Sequence, residues 1–445
     1  MKRDELLAPL RQLPRLGTGI GLHRMLDLCR DSMGSAWFRG LDAIKVTGSN
    51  GKGSVCAMTA AILRGAGVEA GLYTSPHLFD FRERIALGVE PISEDDLAAG
   101  IARFDDERER YAREHPGDEI GAFEAFTAVA LDYYARRRPA SVVAEAGIGG
   151  RYDSTRVFPG RLTALVSLDL EHTALLGRTL EEIAYDKADL AAEGTTLVLG
   201  DLRPEIRRRL DAYGRLRRLE VVAAGDVCAV YRAEVAASGT RLDLEIDGRR
   251  WRDVGLALLG AHQVANARLA VVLATRWLAR HRPGADLEAA VRRGLAGVRW
   301  PCRLEKVRGD PDVFVDAGHT PGAVDALAAS LAALLRGRRI LLVTGISRDK
   351  DIAGILTRLL PLAAAVVATR AHHRGAPAAE VAAVVRERAP ELPLEVAEPI
   401  EDALSSALAR AGREEMTVVV AGGLFLAAEA KWTLGGGDPR RLRFF

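Results

Sequence analysis

A two-part α/β fold is what the sequence predicts: a mostly parallel, doubly wound sheet with a small antiparallel insertion, then a smaller Rossmann-like α/β unit. Three observations carry that expectation. Short apolar stretches alternate with helical patterns along most of the chain, which is how strands buried on both faces read. A glycine-rich turn, Gly48-Ser49-Asn50-Gly51-Lys52-Gly53-Ser54, joins one such stretch to a helical pattern. At 445 residues the chain exceeds the size, about 250–300 residues, at which a single core stops growing.

Taken in order, Ile44 to Thr47 reads as a strand, Ser54 to Leu63 as a helix and Ala70 to Tyr73 as a second strand. Glu124 to Arg136 is helical in pattern, and Ser141 to Ala144 is a strand of the fully buried type. Leu162 to Ser167 and Thr196 to Leu199 repeat the strand pattern, with a helix over Leu180 to Ala192 between them. The stretch from Val227 to Trp251 differs, because polar and apolar residues alternate on both sides of Ser238-Gly239 and a second turn follows at Asp247-Gly248. That pattern predicts an antiparallel meander, expected at the edge of the α/β layer. Helix resumes from Gln263 to Arg280. A boundary falls near Val298-Arg299-Trp300-Pro301, dividing the chain into 1–298 and 299–445. Beyond it, strands at Val313 to Val315, Ile340 to Val343, around Val366 and at Val418 to Val420 alternate with helices from Ala323, Asp351 and Ala378.

Composition excludes several classes of function. Lys+Arg number 62 and Asp+Glu 60, and a net charge of +2 gives no electrostatic footprint for nucleic acid. Hydrophobic residues at 48% and charged residues at 27% exclude wholesale disorder. No uncharged run reaches the ~18 residues of a membrane span. Charges at Lys2, Arg3, Asp4 and Glu5 precede any apolar core, arguing against a secretory signal and for a cytoplasmic protein. Cys29, Cys56, Cys228 and Cys302 have no metal-type spacing and read as reduced, buried thiols. Lysine is scarce: seven occur among the 62 basic residues, so a retained lysine such as Lys52 or Lys187 draws attention.

The glycine-rich turn suits a nucleotide phosphate. Glycines let the backbone aim its N–H groups at an anion over a helix N-terminus, and Lys52 adds a cation for the terminal phosphates. The turn departs from the common phosphate loop, since Val46 replaces the leading glycine and Gly53 follows the lysine. Other residues have two readings each. Glu145 ends an apolar strand, where a carboxylate needs a partner. Ser75 before Pro76 is a turn residue or a ligand, His172 a structural histidine or a ligand, and Lys187 a helical surface cation or part of a site.

The segment Lys45 to Ser54 resembles the ATP loop of the folylpolyglutamate synthase/dihydrofolate synthase family, a branch of the Mur ligases. Thr74-Ser75-Pro76-His77-Leu78 with Arg82 to Ile85, Glu145 to Asp153, and Asp169 to Thr173 followed by Ile183 to Ala188 are similar to its further signatures. Leu259 to Gln263 with Asn266, Pro301 to Glu305, Asp316 to Pro321 and Asp349 to Asp351 complete the order. The resemblance implies an ATP- and Mg2+-dependent amide ligase that adds L-glutamate to dihydropteroate or to the γ-carboxylate of a reduced folate, through an acyl phosphate. It implies catalytic roles for Lys52, Lys187 and His172, and ATP contacts from Asn50, Gly51, Lys52, Gly53, Ser54, Asn266 (adenine), Arg303 (phosphate) and Asp316 (ribose). Metal positions would be Ser75, Glu145, His172 and a carbamylated Lys187. Substrate contacts would come from Phe123, Glu124, Tyr152, Asp153, Ser154 and His319. The implied partners are small molecules, with no nucleic acid and no membrane, and the chain would act as a monomer.

The chain departs from the family pattern at Gly121-Ala122, at Tyr152 and Ser154, within Asp316-Ala317-Gly318-His319-Thr320-Pro321, and at Gly422-Gly423-Leu424-Phe425. The ATP and metal positions are kept, whereas acceptor-side positions change. Two alternatives follow: a Mur-type ligase for a non-folate carboxylate, and a non-catalytic nucleotide-binding protein. Retention of Lys52, Glu145, His172 and Lys187 argues against the second.

Overall fold

The computed structural model describes residues 7–14, 16–19 and 21–444. Lys2 to Glu5, on which the reading of the amino terminus rests, lie outside the described residues.

The strands β1 (Ile44–Thr47), β2 (Ala70–Tyr73), β3 (Ile85–Leu87), β4 (Glu90–Pro91), β5 (Ser141–Glu145), β6 (Leu162–Leu165), β7 (Thr196–Leu199) and β8 (Glu220–Ala223) form one sheet. Its order is β4-β3-β2-β5-β1-β6-β7-β8. All neighbours from β2 to β8 are parallel, and the β2–β3 and β3–β4 pairs are antiparallel. Every residue of β1, β5 and β6 is buried, which is why these strands read as continuous apolar runs.

Helices cover both faces. On one side, α1 (Lys52–Gly65), α5 (Ala261–His281) and α6 (Leu287–Gly297) pack Met58, Ile62, Leu269 and Val291 against Val46 and Val143. On the other, α2 (Glu94–Glu114) and α3 (Ala122–Arg137) pack Ile101, Phe126 and Tyr134 against Val142 and Ala144. Val142 and Val143 thus face opposite cores, as the two-residue period of a strand requires. A further helix, α4 (Leu180–Ala188), packs beside β6 and β7. It ends four residues earlier than its sequence pattern suggested, at the cap Asp189.

The meander consists of β9 (Cys228–Ala236), β10 (Gly239–Ile246) and β11 (Arg249–Leu256), with its turns where the glycines predicted them. It forms a separate sheet whose apolar face, including Leu242, Leu244 and Val254, shares a core with α1, α5 and α6. Alternation identifies the buried face of a strand, not what covers it.

The third sheet contains β12 (Glu305–Gly309), β13 (Asp312–Val315), β14 (Ile340–Thr344), β15 (Ala365–Ala368), β16 (Leu394–Val396) and β17 (Thr417–Val420), in the order β12-β13-β17-β14-β15-β16. Only β12 is antiparallel. Leu78 and Leu259, from the first part of the chain, each enter one of the cores flanking this sheet. Among its helices, α7 (Pro321–Leu334) faces the first part and α8 (Leu424–Leu434) follows β17. The strands absent from the sequence reading are β3, β4, β8, β12 and β16. Most of these are short and partly exposed, and all lie at or beside a sheet edge, so no buried apolar run marks them.

All four cysteines are free and buried. No described helix is long and apolar enough to cross a membrane.

One buried acid gives the fold a pH dependence. Glu429 on α8 is 1% exposed, and its carboxylate accepts the His372 and His373 backbone N–H groups at 2.7 and 2.9 Å. Burial raises its pKa to about 7, against the lowering effect of those two bonds. The native state therefore holds this proton more tightly than the unfolded chain. The resulting stability is complete below the unfolded glutamate pKa and is lost as pH rises through about 7. Melting curves between about pH 5 and pH 8 should show a fall in Tm that is smaller in Glu429→Gln. An identical pH slope in both proteins would remove Glu429 as its source.

Candidate active site

The glycine-rich loop connects β1 to α1. Gly51 caps the helix at φ 83°, and a Cβ there would also lie 2.7 Å from Asn266 Oδ1, so both conformation and space demand glycine. Gly53 is needed for close approach, because a Cβ would stand 2.7 Å from the Trp300 ring. This contact accounts for the glycine that follows Lys52. The loop is stitched to the chain leaving β6: Ser49 N–H donates to Ser167 O (3.0 Å) and Asn50 N–H to Ser167 Oγ (2.9 Å), while Asp169 N–H donates to Ser49 Oγ (2.9 Å). The Lys52 ammonium curls back to donate to Gly48 O (2.9 Å) and Ser49 O (3.3 Å). Ser54 is buried and lies 3.3 Å from Gln263 Nε2, which donates to it.

Because β2, β5, β1 and β6 are parallel neighbours, Ser75, Glu145, the loop and the segment 167–172 emerge along one carboxyl edge. Glu145 is 4% exposed and its Oε2 accepts the Ser75 N–H at 3.1 Å. Burial raises the Glu145 pKa, opposed by Lys52, that N–H, Arg303 and Arg84. His172 sits exposed at the rim with φ 47°, preceding the short helix Thr173–Leu176.

Lys187 is not the surface cation of one reading. It is 1% exposed and donates to Glu171 Oε1 at 3.1 Å. Burial, reinforced by Lys52, lowers its pKa against the pull of Glu171. For Glu171, burial acts upward, yet Lys187 and Lys52 bring the net shift downward. Ser75, Glu145, Glu171 and His172 line the cavity, with Lys187 behind Glu171.

A cavity of about 1720 Å³ separates the two parts, lined by the loop and these strand ends on one side and by Arg303, Asp316, His319, Thr320 and Lys350 on the other. Asn266 is buried and its Nδ2 donates to Gln263 Oε1 at 3.1 Å. Asp316 accepts the N–H groups of Leu304 (2.8 Å) and Gly318 (2.7 Å), and Arg303 donates to Cys302 O (3.0 Å). His319 Nδ1 lies 3.0 Å from Ala317 O, and burial, assisted by Lys350 and Arg303, lowers its pKa.

At the other end of the cavity, Phe123, Glu124, Tyr152, Asp153 and Ser154 all reach the wall. The two acids are engaged within the protein. Glu124 accepts from Arg24 Nε (2.8 Å) and Gly121 N–H (2.7 Å), and Asp153 accepts from Gly147 (2.8 Å), Ile148 (3.1 Å) and Thr155 (2.9 Å) N–H groups. Sequence reasoning missed Arg24 and Phe444, which also line the cavity together with Phe425, one of the positions that depart from the family pattern. Phe444 stacks on His77 (centroids 6.1 Å apart, 5° between planes) and meets Phe425 edge-on at 4.7 Å.

Mg2+ takes oxygen ligands and keeps several waters, relying on one or two carboxylates plus ligand phosphates. The buried Glu145 carboxylate beside the loop fits that donor set. Among the described residues, the one trio of His, Asp and Glu donor atoms within 4.8 Å of each other is Asp27, Glu114 and His115, outside the cavity, where Arg110 pairs with Asp27. A divalent ion here would thus depend on the nucleotide for its remaining ligands.

The part of the chain that faces the loop across the cavity matches, over residues 302–424, the family model described as Mur ligase, glutamate ligase domain. Joined to a phosphate-loop domain, it defines a Mur-type ligase architecture. The chain is 30% identical over 441 residues to the folylpolyglutamate synthase of Lacticaseibacillus casei, covering 98% of this chain and 100% of that protein. It is 37% identical over 439 residues to a probable bifunctional folylpolyglutamate synthase/dihydropteroate synthase of Halobacterium salinarum, covering 97% of this chain but 52% of the relative, so it spans about half that protein's length. The solved structure of Mycobacterium tuberculosis folylpolyglutamate synthase complexed with ADP and AMPPCP superimposes with a TM-score of 0.87 at 30% identity, covering 98% of each chain. The chain belongs to the folylpolyglutamate synthase family.

Proposed function

We propose that the chain is an ATP-dependent ligase that joins L-glutamate to dihydropteroate, to the γ-carboxylate of a reduced folate, or to both. The observation that carries this reading is the loop and the buried Glu145 facing Arg303, Asp316 and His319 across one cavity. In this assignment residues 1–298 hold the phosphates and the acceptor, and 299–445 complete the nucleotide site. One copy supplies every group named, so a monomer suffices, and four buried thiols suit a reducing compartment such as the cytoplasm.

The acceptor carboxylate oxygen attacks the γ-phosphorus, the bond to the β–γ bridging oxygen breaks and ADP leaves. The glutamate amine then attacks the acyl carbon, loses its proton and expels phosphate. Loop N–H groups and Lys52 neutralise the phosphoryl oxygens, with Arg303 approaching from the other side. Asn266 borders the adenine and Asp316, held by two backbone donors, meets the ribose. His319, kept neutral by burial, borders the incoming amino acid. Glu145, with Ser75 and His172, would hold Mg2+, which would supply neutralisation of the phosphate charge. Glu124 and Asp153 act by shaping the acceptor wall, whereas Phe123, Tyr152 and Ser154 touch the substrate.

The test is incubation with ATP, Mg2+, glutamate and a panel of pteroate and folate acceptors, following phosphate release and product mass. Phosphate release matched by a glutamate adduct supports the reading. Phosphate release without a folate product points to another carboxylate, and no turnover with any acceptor points to a binding protein.

Tyr152, 49% exposed at the cavity wall, separates acceptor from nucleotide binding. Tyr152→Ala should raise the acceptor KM about 3- to 10-fold, the value of one aromatic contact, and leave the ATP KM unchanged. Equal changes in both constants would place Tyr152 outside the acceptor site.

A further inference from the structure

A hydrogen-bonded relay crosses the cleft at the phosphate loop. Asn50 Nδ2 donates to Asp169 Oδ2 at 2.6 Å, and Asn50 Oδ1 accepts the Thr320 hydroxyl at 2.9 Å. An ionised carboxylate only accepts, so Asp169 fixes which end of the amide it faces. The amide oxygen is thereby turned toward Thr320, which must donate.

Thr320 belongs to the opposite part of the molecule. It caps α7, its Oγ accepting the Ala323 N–H at 3.3 Å. A hydroxyl can donate to Asn50 and accept this N–H at once. The first turn of α7 also lies against Asp169, since a Cβ at Gly322 would stand 2.5 Å from its Oδ2. Asp169 in turn donates its N–H to Ser49 Oγ. The chain of bonds therefore runs from α7 through Asn50 and Asp169 back into the loop.

We propose that Thr320 is a positioning residue whose hydroxyl, acting through Asn50, couples the seating of α7 to the shape of the phosphate loop. The proposal rests on the nucleotide-binding reading of that loop. Its role is indirect, because the hydroxyl is spent on Asn50 and on the helix cap. When α7 withdraws, Asn50 loses the partner that orients its oxygen, and the loop loses one of the bonds that define it. Linked hydrogen bonds ending on a charge strengthen one another, so loss of one link is felt along the chain.

The experiment compares wild type, Thr320→Val, Thr320→Ser, Asn50→Ala and the double variant Thr320→Val/Asn50→Ala. Each is read by hydrogen exchange of the amides of residues 48–54 in ligand-free protein, and by titration with AMPPCP and Mg2+. Thr320→Val should speed loop exchange and weaken AMPPCP binding, each by about tenfold, the value of one such bond. Thr320→Ser, which keeps donor and cap, should stay within about twofold of wild type. The double variant should exchange no faster than Asn50→Ala alone, because the shared bond is already broken. Additive effects, or a serine variant as impaired as the valine one, would assign Thr320 to capping or packing and overturn the relay. The two readings fail separately. Wild type that binds no AMPPCP but shows the exchange coupling defeats the nucleotide reading alone. Normal binding without coupling defeats the relay alone.

Discussion

Lys52→Ala should lower phosphate release by about a thousandfold while the protein melts close to wild type. Among the described residues its ammonium donates only to loop carbonyls, Gly48 O and Ser49 O, and it belongs to no core cluster. The loop's path is secured independently by the bonds of Ser49 and Asn50 to Ser167, so alanine leaves the scaffold in place. What disappears is the cation at the phosphates, and with it the first of the charges that restrain the buried Glu145. Turnover and thermal melting of the same preparation check this. A variant with near-wild-type turnover would remove the lysine from the mechanism.

The second large effect is expected at Lys187. Lys187→Ala should lose about 100-fold or more in turnover, and acetate added to that variant should restore part of it. A primary amine captures CO2 only when neutral: nitrogen attacks carbon, a proton leaves nitrogen, and a cation becomes an anion. Burial and Lys52 favour the neutral amine. The product would place negative charge beside Glu171, which a nearby divalent cation would offset, so the carbamate should form when Mg2+ and nucleotide are bound. Alanine also strands the Glu171 charge, and lowered stability is expected from that alone. Lys187→Arg resolves the ambiguity, since it keeps the ion pair but cannot form the carbamate in the same way. It should be stable and inactive, without the carbamate carbon signal that 13C-bicarbonate gives in wild type. A fully active arginine variant would make Lys187 a structural cation.

The contrast between these two lysines explains what was legible in the sequence. Lys52 could be found because a phosphate cradle at a helix start is a local device, written in consecutive residues between an apolar strand and a helix. Glu145 was legible for a related reason, as a carboxylate closing a strand with no polar neighbours. Lys187 stands in a polar helical run, Glu181-Glu182 to Asp186-Lys187, that looks solvated. Its burial depends on how α4 packs, and its partner Glu171 lies outside that helix. Distance along the chain hid the rest. Arg24 meets Glu124 a hundred positions away, and His77 meets Arg443 O at 2.9 Å across almost the whole sequence. The six-stranded sheet was anticipated in its four central strands, whereas its edges β12 and β16 carry too little apolar surface to be seen.

The close packing of Trp300 on Gly53 gives the loop an intrinsic optical probe. Of five tryptophans, Trp37 and Trp277 donate to Pro139 O and Asp42 O, Trp251 lies in the core shared with the meander, and Trp432 is exposed on α8. Trp300 alone among them lines the cavity. Nucleotide arrival at the loop should therefore alter indole emission from one identifiable ring. Trp300→Phe would silence that signal and leave the other four as a constant background, so ligand titrations could be followed by fluorescence without a dye.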